Sequence, residues 1–304
     1  TEVYNNEKTL DAFNILPSLN IVYSLTEDMN LRLAANQTVA MPSFKEISIA
    51  QIYDPITKRT YVGNLDLQQT TIMNFDARYE YFFAPKELLS IAGFYKQFDG
   101  HIELISNNLN PDEFKPRNSG NAELMGVEFE LRKGLPNASS FLNNFFLSTN
   151  VSLVQSAVDL KSVLVNNSGK TEYDSRSEFL RTKQQLSDTR PMSGQSPYAI
   201  NFNLAYELPE KQMNFALAYN VQGEQLTIIG SERVPDVYTL PFHSVNFNTY
   251  KGFGKNFNQR ITLRVQNILN DDRIMVYRAY EAEDQVFNRF YPGINFNIKY
   301  SYNF

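Results

Sequence analysis

The sequence predicts an all-β fold, an antiparallel up-and-down β-barrel that crosses a membrane with its strands. Three observations carry that prediction. Segments of about ten residues or more alternate apolar and polar side chains, as a strand does when its two faces meet different surroundings. The connections between these segments alternate between short and long. The last segment keeps its apolar face running to the chain's end: Ile294, Phe296, Ile298, Tyr300, Tyr302 and Phe304 share one side, with Asn295, Asn297, Lys299, Ser301 and Asn303 on the other. In water such an edge invites aggregation, whereas lipid and a neighbouring strand satisfy it.

Composition narrows the function. Against 28 Lys and Arg stand 33 Asp and Glu, a net charge of −5 with no basic run, so nucleic acid is not an expected partner. The absence of cysteine excludes disulfide frameworks, thiolate metal sites and a cysteine nucleophile. Hydrophobic residues reach 42%, yet no run approaches the ~18 apolar residues of a membrane helix. Asn repeatedly sits between apolar neighbours, which suits a wall with lipid outside and water inside. Thr1-Glu2-Val3-Tyr4 reads as mid-protein sequence, so a removed leader or a longer parent protein is expected.

Taken in order, residues 1–11 are polar and expected as loop. A first strand over 13–24 places Leu19, Ile21 and Tyr23 on one face, and a turn at Thr26 returns it as a second strand over 30–38, with Leu31 and Leu33 opposite Asn30 and Arg32. After a long connection over 40–69, a third strand over 71–83 sets Phe75, Ala77, Tyr79, Tyr81 and Phe83 against Asp76, Arg78 and Glu80. A turn at Pro85 leads to a fourth strand over 89–105 and a loop over 106–117. The fifth strand carries Val127, Phe129 and Leu131 opposite Glu128, Glu130 and Arg132; a turn at 136–140 gives the sixth, with Phe145, Leu147, Thr149, Val151 and Leu153. The longest connection, 157–195, is rich in charge, with a short helix expected over 177–186. Strands over 198–208 and 213–221 form a hairpin around Pro209; those over 242–252 and from Arg260 onward form another around Gly254. Loops over 230–240 and 270–287 precede the ninth and the final strand, about eleven in all.

Short turns at one rim and long loops at the other are the layout of an outer-membrane barrel, tight toward the periplasm and elaborate outside. Counting back on that basis, the C-terminus is expected in the periplasm and Thr1 outside the cell. Single-chain bacterial barrels have even strand numbers. An odd count therefore predicts the distal part of a larger barrel, with the first and last strands here not paired to one another.

Several stretches resemble the C-terminal half of a TonB-dependent receptor of the Bacteroidota type, in which a carboxypeptidase-like module is expected upstream. They are Leu16-Pro17-Ser18-Leu19-Asn20, Thr38-Val39-Ala40-Met41-Pro42-Ser43-Phe44-Lys45-Glu46, Asn64-Leu65-Asp66-Leu67-Gln68-Gln69-Thr70, Asn74-Phe75-Asp76-Ala77-Arg78-Tyr79-Glu80-Tyr81-Phe82, Phe94-Tyr95-Lys96, Ala122-Glu123-Leu124-Met125-Gly126-Val127-Glu128-Phe129-Glu130 and Arg190-Pro191-Met192-Ser193-Gly194-Gln195-Ser196-Pro197-Tyr198. The ending in Phe304, with Tyr300 and Tyr302, resembles the signal read by the barrel-insertion machinery. Met41 departs from the family's habit of Arg before that proline, and a plug is not in these residues. The resemblance implies residues 1–304 as the C-terminal part of a ~22-stranded barrel. It also implies active uptake of a nutrient of siderophore, oligosaccharide or peptide class, with TonB engaged through a plug. A barrel serving as scaffold in a larger outer-membrane complex is the alternative. Partners on either reading are the rest of the barrel, its plug, outer-membrane lipid, and a surface lipoprotein or other complex subunit.

No catalytic set is visible. His101 and His243 are far apart in sequence, and Ser244 points away from its neighbour His243, so no nucleophile–base pair is expected. The acidic residues Asp271, Asp272, Glu281, Glu283 and Asp284 lack the alternate spacing of a calcium loop and read as a solvated surface; neither metal nor cofactor is expected. The charges Arg32, Asp76, Arg78, Glu80, Glu128, Glu130, Arg132, Arg260 and Arg264 must face the lumen, because a lipid-facing charge costs a few kcal/mol. They are candidate plug contacts, or simply groups that hydrate the interior. Tyr53, Arg59, Tyr61, Arg233, Tyr277, Arg278 and Tyr280, aromatic or cationic and loop-borne, are the candidate ligand contacts.

Overall fold

A computed structural model describes residues 12–107, 109–135, 142–165 and 169–303. Residues 1–11, the turn at 136–140 and Phe304 lie outside the described residues, and with them the expectations placed on Thr1 and the terminal phenylalanine. Strand β1 (Ser18–Ser24) turns into β2 (Met29–Ala40), after which a hairpin of β3 (Gln51–Asp54) and β4 (Arg59–Val62) intervenes before β5 (Thr70–Ala84). Strand β6 (Glu87–Asp99) is followed by a second hairpin, β7 (Ile102–Ser106) and β8 (Glu113–Asn118), and then by β9 (Asn121–Gly134) and β10 (Phe145–Asp159). Helix α1 (Glu172–Ser177) and the short β11 (Thr189–Arg190) lead to β12 (Tyr198–Leu208) and β13 (Met213–Gln222). Next come β14 (Gln225–Ile228), β15 (Asp236–Thr239), β16 (Phe242–Phe253) and β17 (Gln259–Gln266). The chain closes with β18 (Arg273–Arg278), β19 (Gln285–Phe290) and β20 (Asn295–Tyr302).

Eleven long strands form one wall in the order β1-β2-β5-β6-β9-β10-β12-β13-β16-β17-β20. Each pairs antiparallel with its successor in that order. β1 and β20 occupy opposite edges of this sheet and are not paired with each other, as the odd count predicts. Among the described residues no helix is long and apolar enough to cross a membrane.

The register explains why the alternation is so regular. Ser24, Asn30, Glu80, Ser90, Glu130, Asn150, Asn201, Asn220 and Ser244 stand opposite one another from strand to strand, one unbroken polar row. The adjacent row, Tyr23, Leu31, Tyr79, Ile91, Phe129, Val151, Ile200 and Val221, is apolar or aromatic until it reaches His243. Directly opposed residues share a face, so the wall has one wet side and one greasy side, and a one-residue slip of any strand would exchange them. The apolar side is not a protein core: Ile298 is 75% and Phe215 40% exposed, and Tyr79 is half-buried.

Four expectations need correction. The strand expected over 89–105 ends at Asp99, because Gly100 takes a left-handed φ of +69°, a conformation that suits a residue without Cβ; Ile102–Ser106 then leaves the wall. The helix lies at Glu172–Ser177 rather than 177–186, nucleated by a capping box between Thr171 and Asp174 that satisfies its first backbone donors. The long connections expected as loops contain strands of their own, and the first and last wall strands are shorter than expected.

The two-faced wall makes a direct prediction. Val127→Arg, mid-strand on the apolar face, should destabilise the lipid-embedded barrel by about 2–4 kcal/mol, while Asn150→Ser on the polar face should change little. Denaturant titration of the full-length protein refolded into vesicles checks both; equal effects would mean that the faces do not differ in surroundings.

Candidate functional site

All the long connections lie at one rim of the wall, where they pack on one another. The hairpins β3–β4 and β7–β8 combine into one four-stranded sheet, and β14–β15 with β18–β19 into another. The two sheets share an apolar cluster of Phe114, Ile228 and Val237, joined by Leu104, Met275, Tyr277 and Phe287. They are also stitched together by backbone: Ile229 N–H donates to the Leu104 carbonyl, and Ser106 N–H to the Ile229 carbonyl, each at 2.9 Å. The rim therefore carries a folded cap with its own core.

Beneath the cap the connection from β10 to β12 turns inward. Val163 and Met192 join Ala122, Leu124 and Val158 in a second cluster, with Phe94, Phe98 and Val154 against it. Ala122, Leu124, Val158, Phe94 and Phe98 occupy the polar face by register, which explains the break in its polarity near this rim. Gly126 belongs here as well, since a Cβ would lie 2.5 Å from the Phe94 ring.

Between the two clusters sits a buried ionic knot. Arg190, 8% exposed, donates from Nη1 and Nη2 to Glu103 at 3.1 and 2.7 Å, and from Nε to Glu172 at 2.8 Å. Glu172 also accepts from Arg117 at 2.6 Å and from Arg176 at 2.9 Å, and Arg176 grips Asp236 with two bonds of 3.0 and 2.9 Å. Three separate connections meet in this group. Burial pushes the Glu172 carboxyl up, but the charge and hydrogen bonds of Arg190, with Arg176 and Arg117, outweigh it and hold the group down at about 2. For Glu103 burial is likewise overcome, by the neighbouring His101 and by the hydrogen bonds and charge of Arg190, and its carboxyl sits well below the ordinary range. Sequence reasoning missed these residues. Their one signal was Arg190 beside Pro191 at the end of a charge-rich connection.

The candidate ligand contacts are mostly engaged within the cap. Arg59 donates to the Phe287 carbonyl at 2.9 Å and lies 3.6 Å over that ring, against which Tyr277 packs edge-on. Tyr61 lies under the Lys45 ammonium, and burial, aided by Glu46, pushes its phenol up to about 12. Arg278 pairs with Glu224 and Asp284 and covers Tyr238; Arg233 covers Phe179. The Tyr280 carbonyl accepts from Arg181, while Tyr53 stays 59% exposed. Along the polar face Arg32 donates to Glu80 at 2.7 Å, Arg78 lies 3.7 Å from Glu128, and Arg132 pairs with Glu130. Arg260 donates to Gln212, Asp76 stands opposite Ala34 and Phe94, and Arg264 opposite Asn248 and Asn297. Tyr300 and Tyr302 share the apolar face of β20, where the Tyr300 hydroxyl donates to Gln259.

Groups considered for chemistry are kept apart. His101 lies 3.2 Å from Glu103 inside the knot, while His243 contacts the Tyr219 hydroxyl at 2.8 Å on the apolar face, opposite to Ser244. The acidic set is divided among partners: Asp272 takes Arg289, Asp284 takes Arg278, and Asp271 accepts from the His243 N–H.

A two-faced antiparallel wall with a folded cap over one rim defines a membrane-spanning barrel with a built mouth. Residues 1–268 match the family described as TonB dependent receptor-like, beta-barrel. The chain belongs to that family, whose barrels sit in the outer membrane and serve as receptors, not enzymes. It is similar in fold to a mutant ferric enterobactin receptor, PfeA of Pseudomonas aeruginosa, solved with enterobactin (15% identity, TM-score 0.57, 95% of this chain and 40% of that one). The siderophore receptor PirA of Acinetobacter baumannii is comparable (13%, 0.59, 96% and 41%), as is the FrpB iron transporter of Neisseria meningitidis (12%, 0.54, 95% and 38%). At such identities the likeness is one of fold. The chain spans about 40% of the length of these receptors. Among curated proteins none matches this sequence.

Arg190→Met should leave buried Glu103 without its guanidinium partner and take one of three from Glu172, a loss of about 3–5 kcal/mol from the local structure. Limited proteolysis of the full-length receptor should then cut within residues 160–197 while the strands of the wall stay protected; an unchanged cleavage rate would show that the knot does not hold the cap. Because both carboxylates are depressed below the ordinary glutamate value of 4.5, their contribution is complete above about pH 4.5. For Glu172 it is lost as pH falls toward about 2, and for Glu103 at lower pH still. The same proteolysis run down a pH series should show cap cleavage rising only across that interval.

Proposed function

We propose that this chain is the C-terminal part of the barrel of an energised outer-membrane receptor, forming wall, rim and cap around a lumen that a plug from elsewhere in the same protein fills. The single observation that carries the reading is the unbroken polar row from Ser24 to Ser244 set against an apolar row one residue away. Lipid on one side and a watery, protein-filled channel on the other is the arrangement that rewards such a pattern. In this reading the cap lies outside the cell and the short turns in the periplasm, so a nutrient enters through the capped mouth and leaves after TonB, pulling through the plug, opens the lumen.

The charges Arg32, Asp76, Arg78, Glu80, Glu128, Glu130, Arg132, Arg260 and Arg264 would hold the plug by ion pairs. Arg32 with Glu80, Arg78 with Glu128 and Arg132 with Glu130 pair along the wall, which would present them to the lumen as groups. Ligand contacts would come from the mouth, where Tyr53 and Arg233 are the exposed loop candidates.

Two measurements test this. A peptide tag inserted after Pro111 should be labelled on intact cells, and the same tag at Lys211 only after the outer membrane is opened; the reverse pattern would overturn the orientation. Arg78→Glu with Arg264→Glu in the full-length receptor should loosen the plug and raise sensitivity to vancomycin, too large to cross an occupied lumen. Unchanged sensitivity would leave these arginines as groups that merely hydrate the interior.

A further inference from the structure

The mouth contains a cavity of about 540 Å³, inside the about 300–1,000 Å³ range of small-molecule sites. Its floor is the end of the polar face next to the cap. Ala199, Gln222 and Phe242 stand in register across β12, β13 and β16, with Asn201, Asn220 and Ser244 in the next polar row down. Gln225, Thr239 and Arg273 of the cap complete the wall on one side. The cavity therefore lies where the lumen meets the cap, on the path that the proposed function gives to a nutrient.

Its chemistry is unusual for this molecule. Four carboxamides and two hydroxyls line it, with Arg273 as the one charged residue. That guanidinium lies 4.8 Å over the Phe242 ring, so its charge is partly satisfied by the ring face and the pair presents a flat, rigid surface. Asn220 donates to Asn201 at 2.6 Å. This bond fixes both amides while leaving each further donor and acceptor capacity by valence. Asn201, Asn220 and Gln222 are all exposed to the cavity side of the wall. Groups that both donate and accept, held rigid beside a flat surface, match a ligand whose hydroxyls do the same and whose ring offers a C–H face.

A second cavity, about 420 Å³, shows the contrast. It is lined by Lys115, Arg117, Lys170, Arg176, Glu113, Glu172 and Glu232, but Arg117, Arg176 and Lys170 are already engaged with Glu172, Asp236 and Glu178. It adjoins the ionic knot that holds the cap, and three of its four cations are already paired.

From the first cavity we infer that the mouth recognises a neutral, polyhydroxylated ligand of the oligosaccharide class, with Asn201, Asn220 and Gln222 as hydrogen-bonding contacts and the Phe242–Arg273 pair as the stacking surface. This rests on the reading of the chain as a nutrient receptor and narrows its substrate class.

The test uses the full-length receptor in detergent and isothermal titration with hexasaccharides of α-glucan, β-glucan, mannan and xylan, alongside ferric enterobactin. At least one neutral hexasaccharide should bind. Asn201→Ala with Asn220→Ala should weaken it about tenfold, since the hydrogen-bonding groups of both carboxamides are removed. Phe242→Ala should weaken it independently, with the melting temperature of each variant unchanged. Binding of ferric enterobactin alone, or no hexasaccharide binding, overturns the inference while the receptor reading stands. The receptor reading falls separately, if cells accumulate no bound ligand and an uncoupler that collapses the proton-motive force makes no difference.

Discussion

One guanidinium holds the mouth of this barrel together. Arg190 reaches Glu103 from one connection and Glu172 from its own, and through Glu172 it is linked to Arg117, Arg176 and Asp236. Buried charges of this kind are strongly destabilising when left without partners and close to neutral when fully bonded. Their value here is therefore specificity: the arrangement that brings three connections into contact gives Glu103, Glu172 and Asp236 each a guanidinium partner. The neighbouring residues of the same stretch extend the effect. Met192 fills the inner apolar cluster, Ser193 N–H donates to Glu103 at 2.6 Å, and the Ser196 hydroxyl donates to the Gly223 carbonyl at 2.7 Å. A run of nine residues that looks like a linker in fact fixes the positions of its neighbours.

That rigidity bears on how the mouth works. Long loops over a barrel are usually the most mobile part of such a protein. Here they have formed two sheets with an apolar core between them, and the cations expected to reach for ligand are held in place by Phe287, Glu224 and Asp284. On the proposed reading a ligand would meet preformed surfaces: carboxamides fixed by the wall's register and an aromatic ring under a guanidinium. Pre-organised contacts of this sort lose little conformational freedom on binding.

Much of the wall could be read directly. Alternation along each strand gave the face of every long segment, because a pleated backbone leaves no choice about where successive side chains go. The count of eleven and the alternation of short and long connections followed from Pro85, Pro209 and Gly254 at the tight turns. The site was far less legible. Arg59, Tyr277 and Arg278 stand out in the sequence by chemical type, and type alone cannot distinguish a cation that awaits a ligand from one already resting on Phe287 or Glu224. Glu103 and Glu172 lie sixty-nine residues apart, 103 to 172, so no local pattern could join them.

What the sequence determined by itself was therefore the two-faced sheet, since that depends only on the order of neighbouring residues and a backbone period of two. The tertiary structure alone decided what the long connections become. A knot of buried charges and a pocket of amides draw on strands distant in the chain, and only folding, which sets their register and brings the rim segments together, gives those residues one another as partners.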